Sequence, residues 1–244
     1  MSFAAAALFF CSPVFSQDGL PLLRKMQDAL GGADKLAAIR DLEQYVIAES
    51  FNGNTGRSMG AVRKRTRWIR PSYLRLDQEG PGSTYVLYFD GTAGWEILPG
   101  TKEVIALAGG ELLFAQNYER NFQLNLWLAD RFPRYRVTSP SANVVQISTG
   151  DTTNEVFTLD PASGLPLKSG TMSLSDPAHP MTSESVWTTW EDVQGMRFPR
   201  SWTVLRSGIK VAEAKDNHTT VNVGLKLEDL AAKPPDMKPV LSSR

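Results

Sequence analysis

The chain has little cysteine and histidine and no excess of either charge. Cys11 is the one cysteine among 244 residues, and it lies close to the N-terminus. We therefore expect a folded part without disulfides, without a thiol nucleophile and without a zinc–thiolate site. Lysine plus arginine equals aspartate plus glutamate, at 26 each, so the net charge is zero. A neutral chain does not favour nucleic acid as a partner.

Long apolar runs are scarce, and the main one stands at the N-terminus, over Ala4–Phe10. It is too short to span a bilayer as a helix. Val14 and Ser16 are small residues at the spacing of a signal-peptidase site, which predicts a signal peptide over 1–16, cleaved after Ser16, and a periplasmic mature protein. No Lys or Arg precedes the run, which indicates a true start upstream. A buried N-terminal helix and lipidation of Cys11 are the alternatives.

After this segment the apolar residues recur at helical spacing from about Leu20 to Arg40. Gly31-Gly32 interrupts the pattern, which predicts two helical pieces joined at a glycine elbow. Asp34 is the expected cap of the second piece.

From Leu42 the period changes to two, and Gly, Pro or Asn stands between successive short segments. This pattern predicts a meander of antiparallel strands. Helical spacing returns over Glu111–Asp130, so we expect one long helix that covers a face of the sheet. The predicted strands are 42–48, 58–69, 73–77, 84–90, 95–98, one near Tyr135, 143–148, 155–159, 168–174, 183–191, 198–206 and 210–223. We find no internal repeat and predict a single domain over 17–244, with a loose tail over 233–244.

Motifs for catalysis and metal binding are missing from the sequence. The two histidines, His179 and His218, are far apart and are expected to face solvent. Asp77 and Glu79 share a strand face with Arg75, so alternating charge on an exposed face explains them better than acid–base catalysis. No Gly-x-Ser-x-Gly or phosphate-binding loop occurs. We therefore predict no catalytic residue, no metal and no cofactor.

The strongest local charge feature is the run Arg63-Lys64-Arg65 with Arg67. On a strand, Arg63, Arg65 and Arg67 share one face. They are candidate contacts for an acidic partner or an anionic head group, which would allow peripheral contact with a membrane. The alternative is a solvated face that resists aggregation.

Aromatic and aliphatic residues exceed what a sheet with one buried face needs, since Val86 and Tyr88 back other apolar residues of the same strand. Such a surplus can line an apolar cavity, although plain core packing is the alternative. The candidate ligand-lining residues are Trp68, Leu74, Leu76, Tyr85, Leu87, Phe89, Trp95, Leu113, Phe122, Trp187, Trp190 and Trp202.

The order of these elements resembles the periplasmic lipoprotein-carrier superfamily, the LolA-like and outer-membrane lipoprotein-sorting proteins. A helix–Gly-Gly–helix segment, three Gly- and Pro-bounded hairpins and a final Val-Asn-Val strand end carry the resemblance. They are Ala29–Ile39, Phe89–Pro99, Leu159–Pro166, Trp190–Pro199 and Val221–Leu230.

The resemblance implies a mainly β fold: a strongly curved antiparallel sheet, an incomplete barrel, with helices packed on the concave side. It also implies a hollow for acyl chains, and therefore a periplasmic carrier or binding protein for a lipidated or other hydrophobic ligand, without catalysis. Outer-membrane lipoprotein sorting is one such role. The alternative is a non-catalytic structural or interaction module of the cell envelope, with envelope proteins as partners.

Overall fold

The computed structural model describes residues 17–150, 152–173, 181–235 and 238–239. The segments with a period of two form one hydrogen-bonded sheet of fifteen strands within this part of the chain. The strands are β1 (Gln17–Asp18), β2 (Asp41–Phe51), β3 (Ser58–Ile69), β4 (Tyr73–Gly80), β5 (Ser83–Phe89), β6 (Gly94–Ile97), β7 (Glu103–Ala106), β8 (Arg136–Ser139), β9 (Val144–Thr149), β10 (Thr152–Leu159), β11 (Pro166–Ser173), β12 (Met181–Val193), β13 (Met196–Arg206), β14 (Ile209–Val221) and β15 (Lys238–Pro239).

Five helices accompany the sheet in the described residues. They are α1 (Leu20–Ala29), α2 (Ala33–Ala37), α3 (Gly109–Arg120), α4 (Gln123–Trp127) and α5 (Leu227–Ala231). A 3-10 turn follows α4 at Ala129–Arg131. None of these helices is both long and apolar enough to cross a bilayer.

The sheet consists of two meanders joined through the last long strand. Strands β8 to β14 follow one another in the sheet, β14 then pairs with β2, and β2 to β7 continue the order. All pairings among the thirteen longer strands are antiparallel. The two-residue strands β1 and β15 lie at opposite edges, so the described sheet does not close into a barrel.

One buried cluster shows that the sheet is strongly curved. Leu23 and Met26 of α1 belong to the same core cluster as Leu74 of β4 and Val145 of β9. These two strands are eight places apart in the sheet. In a flat sheet that separation would be about 38 Å, at about 4.8 Å per strand. The sheet therefore curls around the helices, and we call the face that carries α1 to α4 the concave face.

Each helix covers a particular part of the sheet. α1, α2 and α4 fill the centre of the concave face, whereas α3 covers Leu76, Leu87 and Phe89 through Ala115. On the opposite, convex face, Arg75 of β4 donates a hydrogen bond of 3.0 Å to the Leu230 carbonyl of α5. The predicted incomplete barrel with helices on its concave side is confirmed.

Two details of the helices differ from the sequence prediction. The predicted helix over Glu111–Asp130 is broken, because Phe122 is extended (φ −61°, ψ 133°) and separates α3 from α4. This break lets the Phe122 ring stack on Trp68, with ring centroids 5.3 Å apart. Asp34 does not cap α2, since Gly32 occupies that position and Asp34 lies within the first turn. The glycine elbow between α1 and α2 is confirmed.

Candidate functional site

Strand alternation decides which side chains can reach the concave face. Lys64 of β3 lies opposite Val46 of β2, and Trp68 lies opposite Leu42. Paired residues project to the same face and successive residues to opposite faces. Because Trp68 is in the core with the helices, Lys64 and Thr66 also project to the concave face. Arg63, Arg65 and Arg67 project to the convex face.

The helices leave part of the concave face uncovered, and a hollow lies there between α3 and the sheet. Its outer part has a volume of about 410 Å³ and its inner part about 210 Å³. Gln44, Tyr118 and Gln123 line both parts, so the two parts adjoin. We call the two parts together the concave hollow. Pockets that bind small molecules span roughly 300–1,000 Å³, and the hollow falls within that range.

Aromatic side chains form much of the wall of the concave hollow. Phe114 and Phe122 line the outer part, whereas Trp187 and Trp202 line the inner part. Trp187 and Trp202 are opposite each other on β12 and β13. Trp187 also stacks on Phe157 with ring centroids 6.1 Å apart, which fixes its orientation. This wall offers apolar area to a bound molecule.

The floor of the hollow is polar. The Gln44 amide nitrogen lies 3.4 Å from the Thr219 hydroxyl, and Thr66 lies beside Gln44 on β3. Lys64 reaches across to α3, where its Nζ donates a hydrogen bond of 2.6 Å to the Tyr118 hydroxyl. A molecule in the hollow would therefore meet aromatic walls and several hydrogen-bonding groups at the base.

The predicted lining residues divide into groups. Phe122, Trp187 and Trp202 line the concave hollow. Trp190 is half-buried and packs on Trp187, with ring centroids 5.4 Å apart. Tyr85 is half-buried beneath α3 and donates a hydrogen bond of 3.0 Å to Glu96.

The other predicted lining residues lie outside the hollow. Five belong to the closed core beneath the helices: Trp68, Leu74, Leu76, Leu87 and Phe89. Leu113 is 55% exposed on α3. Trp95, another predicted lining residue, lies opposite Tyr88 and projects to the convex face. The reason is the strand period, because Tyr88 and Leu87 are adjacent and cannot share a face.

The predicted arginine contacts share one face, and they border a groove on the convex side with a volume of about 510 Å³. Arg65 forms an ion pair with Glu43, and Arg67 forms one of 2.5 Å with Asp77. Arg75 also binds Asp77, at 3.0 Å. For Arg63 the described residues provide no ion-pair partner within 4.0 Å. We call this surface the arginine groove.

Burial shifts the pKa of several side chains, among them Glu155, Glu119 and Tyr85. It raises the pKa of Glu155, on the concave side of β10, to about 7, and a hydrogen bond from Ser169 opposes the shift. Burial also raises the pKa of Glu119, which Arg134 and Asn125 partly offset. The pKa of Tyr85 is raised by burial and by Glu96.

The arrangement of histidines and carboxylates does not form a metal site in the described residues, where no three His, Cys, Asp or Glu side chains cluster. His218 is opposite Tyr45 on the convex face, and its side chain is 66% exposed. His179 and residues 1–16 lie outside the described residues.

Sequence reasoning missed Lys64 as a site residue. It treated Arg63-Lys64-Arg65 as a basic run and followed only the face that carries the arginines. The signal was present, because a residue between two members of one strand face must project to the other face. Among the described residues that line the hollow, Lys64 is the one with a charged side chain, so the sequence prediction placed no charge there.

The fold defines a class of protein: an open, strongly curved antiparallel sheet whose concave side holds helices beside a hollow. No protein-family model matches the sequence, and no curated protein matches it either.

Solved structures do share the fold. A DUF1329 family protein from Desulfovibrio piger superposes with a TM-score of 0.56 at 12% identity, over 88% of this chain and 98% of that one. A Vibrio parahaemolyticus domain described as an outer membrane lipoprotein-sorting protein gives 0.52 at 14% identity, over 87% and 95%. A LolA superfamily protein from Nitrosomonas europaea gives 0.53 at 12% identity, over 88% and 98%. The protein therefore has a LolA-like fold.

Proposed function

We propose that the protein is a periplasmic, non-catalytic carrier or binding protein for a lipidated or other hydrophobic ligand. The concave hollow carries this proposal, because its walls are aromatic and it lies open beside α3. An acyl chain in such a hollow gains roughly 0.8 kcal/mol per buried methylene. The similarity to a lipoprotein-sorting domain makes lipidated proteins a suitable class of cargo to test.

Export is part of the proposal and rests on the sequence of residues 1–16. We expect the chain to be processed after Ser16 and the single domain over 17–244 to act in the periplasm. Sequencing the N-terminus of protein recovered from a periplasmic fraction tests this. Protein found only in the cytoplasm, with residues 1–16 retained, would contradict export.

Filling the hollow tests the ligand site. Val46 lines the inner part, whereas its neighbour Ile47 projects to the convex face and is 45% exposed. We expect Val46→Trp to weaken the binding of cis-parinaric acid, a fluorescent fatty acid, by about tenfold or more, since the added ring occupies the hollow. Ile47→Trp is the matched control and should bind like the wild type.

The measurement is a fluorescence titration with cis-parinaric acid, after circular dichroism shows that both variants are folded. Native mass spectrometry of the purified protein adds a direct search for retained lipid. The proposal fails if the wild-type protein neither retains lipid nor binds the probe. It fails as well if both Val46→Trp and Ile47→Trp bind cis-parinaric acid as tightly as the wild type does.

A second function is a non-catalytic interaction module of the cell envelope, and the arginine groove favours it. Arg63 has no ion pair there with any residue that the structure describes, and Tyr45 and Ile47 add exposed apolar surface. Crosslinking in envelope fractions tests this role by comparing the wild type with Arg63→Glu. Loss of a crosslinked partner in the variant, together with an empty hollow, would favour the module over the carrier.

A further inference from the structure

Lys64 is a cation inside the concave hollow and is held there by a neutral group. Its Nζ donates to the Tyr118 hydroxyl at 2.6 Å and lies 4.9 Å from the centre of the Tyr118 ring. A phenol hydroxyl and an aromatic face stabilise an ammonium group but do not neutralise its charge. The Lys64 charge is therefore positioned and uncompensated.

Among the described residues that line the hollow, none is a carboxylate that could pair with Lys64. On the neighbouring strands, Glu43 and Asp77 face the convex side, where they bind arginines. Lys168 of β11, by contrast, lies 2.8 Å from Glu184. Among the residues that the structure describes, Lys64 has no ion pair.

Gln123 supplies a second donor at the same place. Its amide nitrogen is buried, and no described acceptor binds it. Gln123 lines both parts of the hollow, as Tyr118 does. A buried donor without an acceptor is unfavourable, so an acceptor group supplied by a ligand would stabilise the site.

The cation and the unpaired donor stand beside the aromatic wall. Lys64 shares the inner part of the hollow with Trp187 and Trp202, and Phe122 extends the apolar surface outward. A ligand that satisfies both features has a negatively charged, hydrogen-bond-accepting head and an apolar tail. A neutral lipid would fill the apolar part and leave Lys64 and Gln123 unpaired.

We propose that the concave hollow selects anionic amphiphiles, whose carboxylate or phosphate head is held by Lys64 and Gln123 while the tail lies on the aromatic wall. This inference rests on the proposed carrier function and names its ligand class. Hydrogen bonds to an ionised group are stronger than those between neutral groups. The charge of the head group therefore decides which amphiphiles the hollow selects.

The test compares cis-parinaric acid with its methyl ester, which keeps the tail and removes the charge. The variants are Lys64→Met, which removes the charge at similar length, and Gln123→Leu, which removes the amide. Lys64→Arg keeps the charge. Arg63→Met is the matched control, because it removes one charge from the adjacent position on the convex face. Lysophosphatidate as a competitor, below its micelle concentration, compares a phosphate head with a carboxylate.

We expect the wild type and Arg63→Met to bind the acid at least about tenfold more tightly than the ester. Lys64→Met should lose most of this preference with little change in ester binding, Gln123→Leu should lose part of it, and Lys64→Arg should retain it. Equal binding of acid and ester by the wild type would overturn the inference and leave the carrier function standing, even if a variant failed to fold. Binding of neither probe would overturn both.

Discussion

Glu155 makes the stability of the protein depend on pH in an unusual direction. It lies on β10 opposite Ile147 of the core, and burial raises its pKa from 4.5 to about 7. Between these pH values the folded protein keeps a proton that the unfolded chain has lost. The contribution of Glu155 to stability is therefore largest below pH 4.5 and falls as the pH rises to about 7.

The size of the effect follows from the pKa interval. Each pKa unit corresponds to about 1.36 kcal/mol, so the free energy of unfolding should fall by up to about 3 kcal/mol between pH 4.5 and pH 8. Glu155→Gln removes the ionisable group at nearly the same shape. We expect this variant to be close to the wild type at pH 5 and more stable than the wild type at pH 8.

Urea unfolding at fixed pH values from 5 to 8, followed by tryptophan fluorescence, measures both proteins. The pKa of Glu119 is also raised by burial, but Glu119 is present in both, so the difference between the two curves isolates Glu155. Ser169→Ala removes the hydrogen bond that lowers the pKa of Glu155. This variant should therefore lose more stability than the wild type as the pH rises. Parallel curves for the wild type and Glu155→Gln would refute the reasoning.

Two further changes test the packing of the helices. Gly31 has a φ of +112°, and a Cβ there would clash with the Gly195 carbonyl of the β12–β13 turn and lie 2.9 Å from the Cα of Met196. Gly32 (φ +101°) faces open space. We expect Gly31→Ala to lower the free energy of unfolding, measured in urea, by about 2–4 kcal/mol, and Gly32→Ala to lower it by about 1–2 kcal/mol. Equal losses in the two variants would contradict the packing argument. Arg75→Met removes the donor to two carbonyls of the α5 segment. Amide hydrogen exchange in α5 should then be faster than in the wild type, whereas the control Arg63→Met should leave it unchanged. Unaltered exchange in Arg75→Met would show that Arg75 does not hold α5.

Local patterns in the sequence were sufficient for most of the elements. A two-residue period places side chains on alternate faces whatever the neighbouring strand is, so Arg63, Arg65 and Arg67 were correctly predicted to share a face. The glycine elbow was also readable, because a residue with positive φ favours glycine. The order of the elements was enough to indicate a LolA-like fold.

The candidate site was less readable, because it depends on how the two meanders meet. The pairing of β14 with β2 brings Trp202 and Val46 to one hollow, although they are far apart in the chain. The break at Phe122 arises from its packing on Trp68, a contact that helical spacing alone does not show. Five of the twelve predicted lining residues lie in the closed core, since periodicity cannot distinguish a core side chain from one at a hollow.

The sequence by itself determined most of the longer strands, the glycine elbow and the alternation of faces, since these follow from backbone geometry and local spacing. Only the tertiary structure decided which face became concave, because that depends on the helices around which the sheet curls. The same choice placed Trp95 on the convex side and Lys64 in the hollow. A residue's face is a local property, whereas what that face encloses depends on contacts between distant parts of the chain.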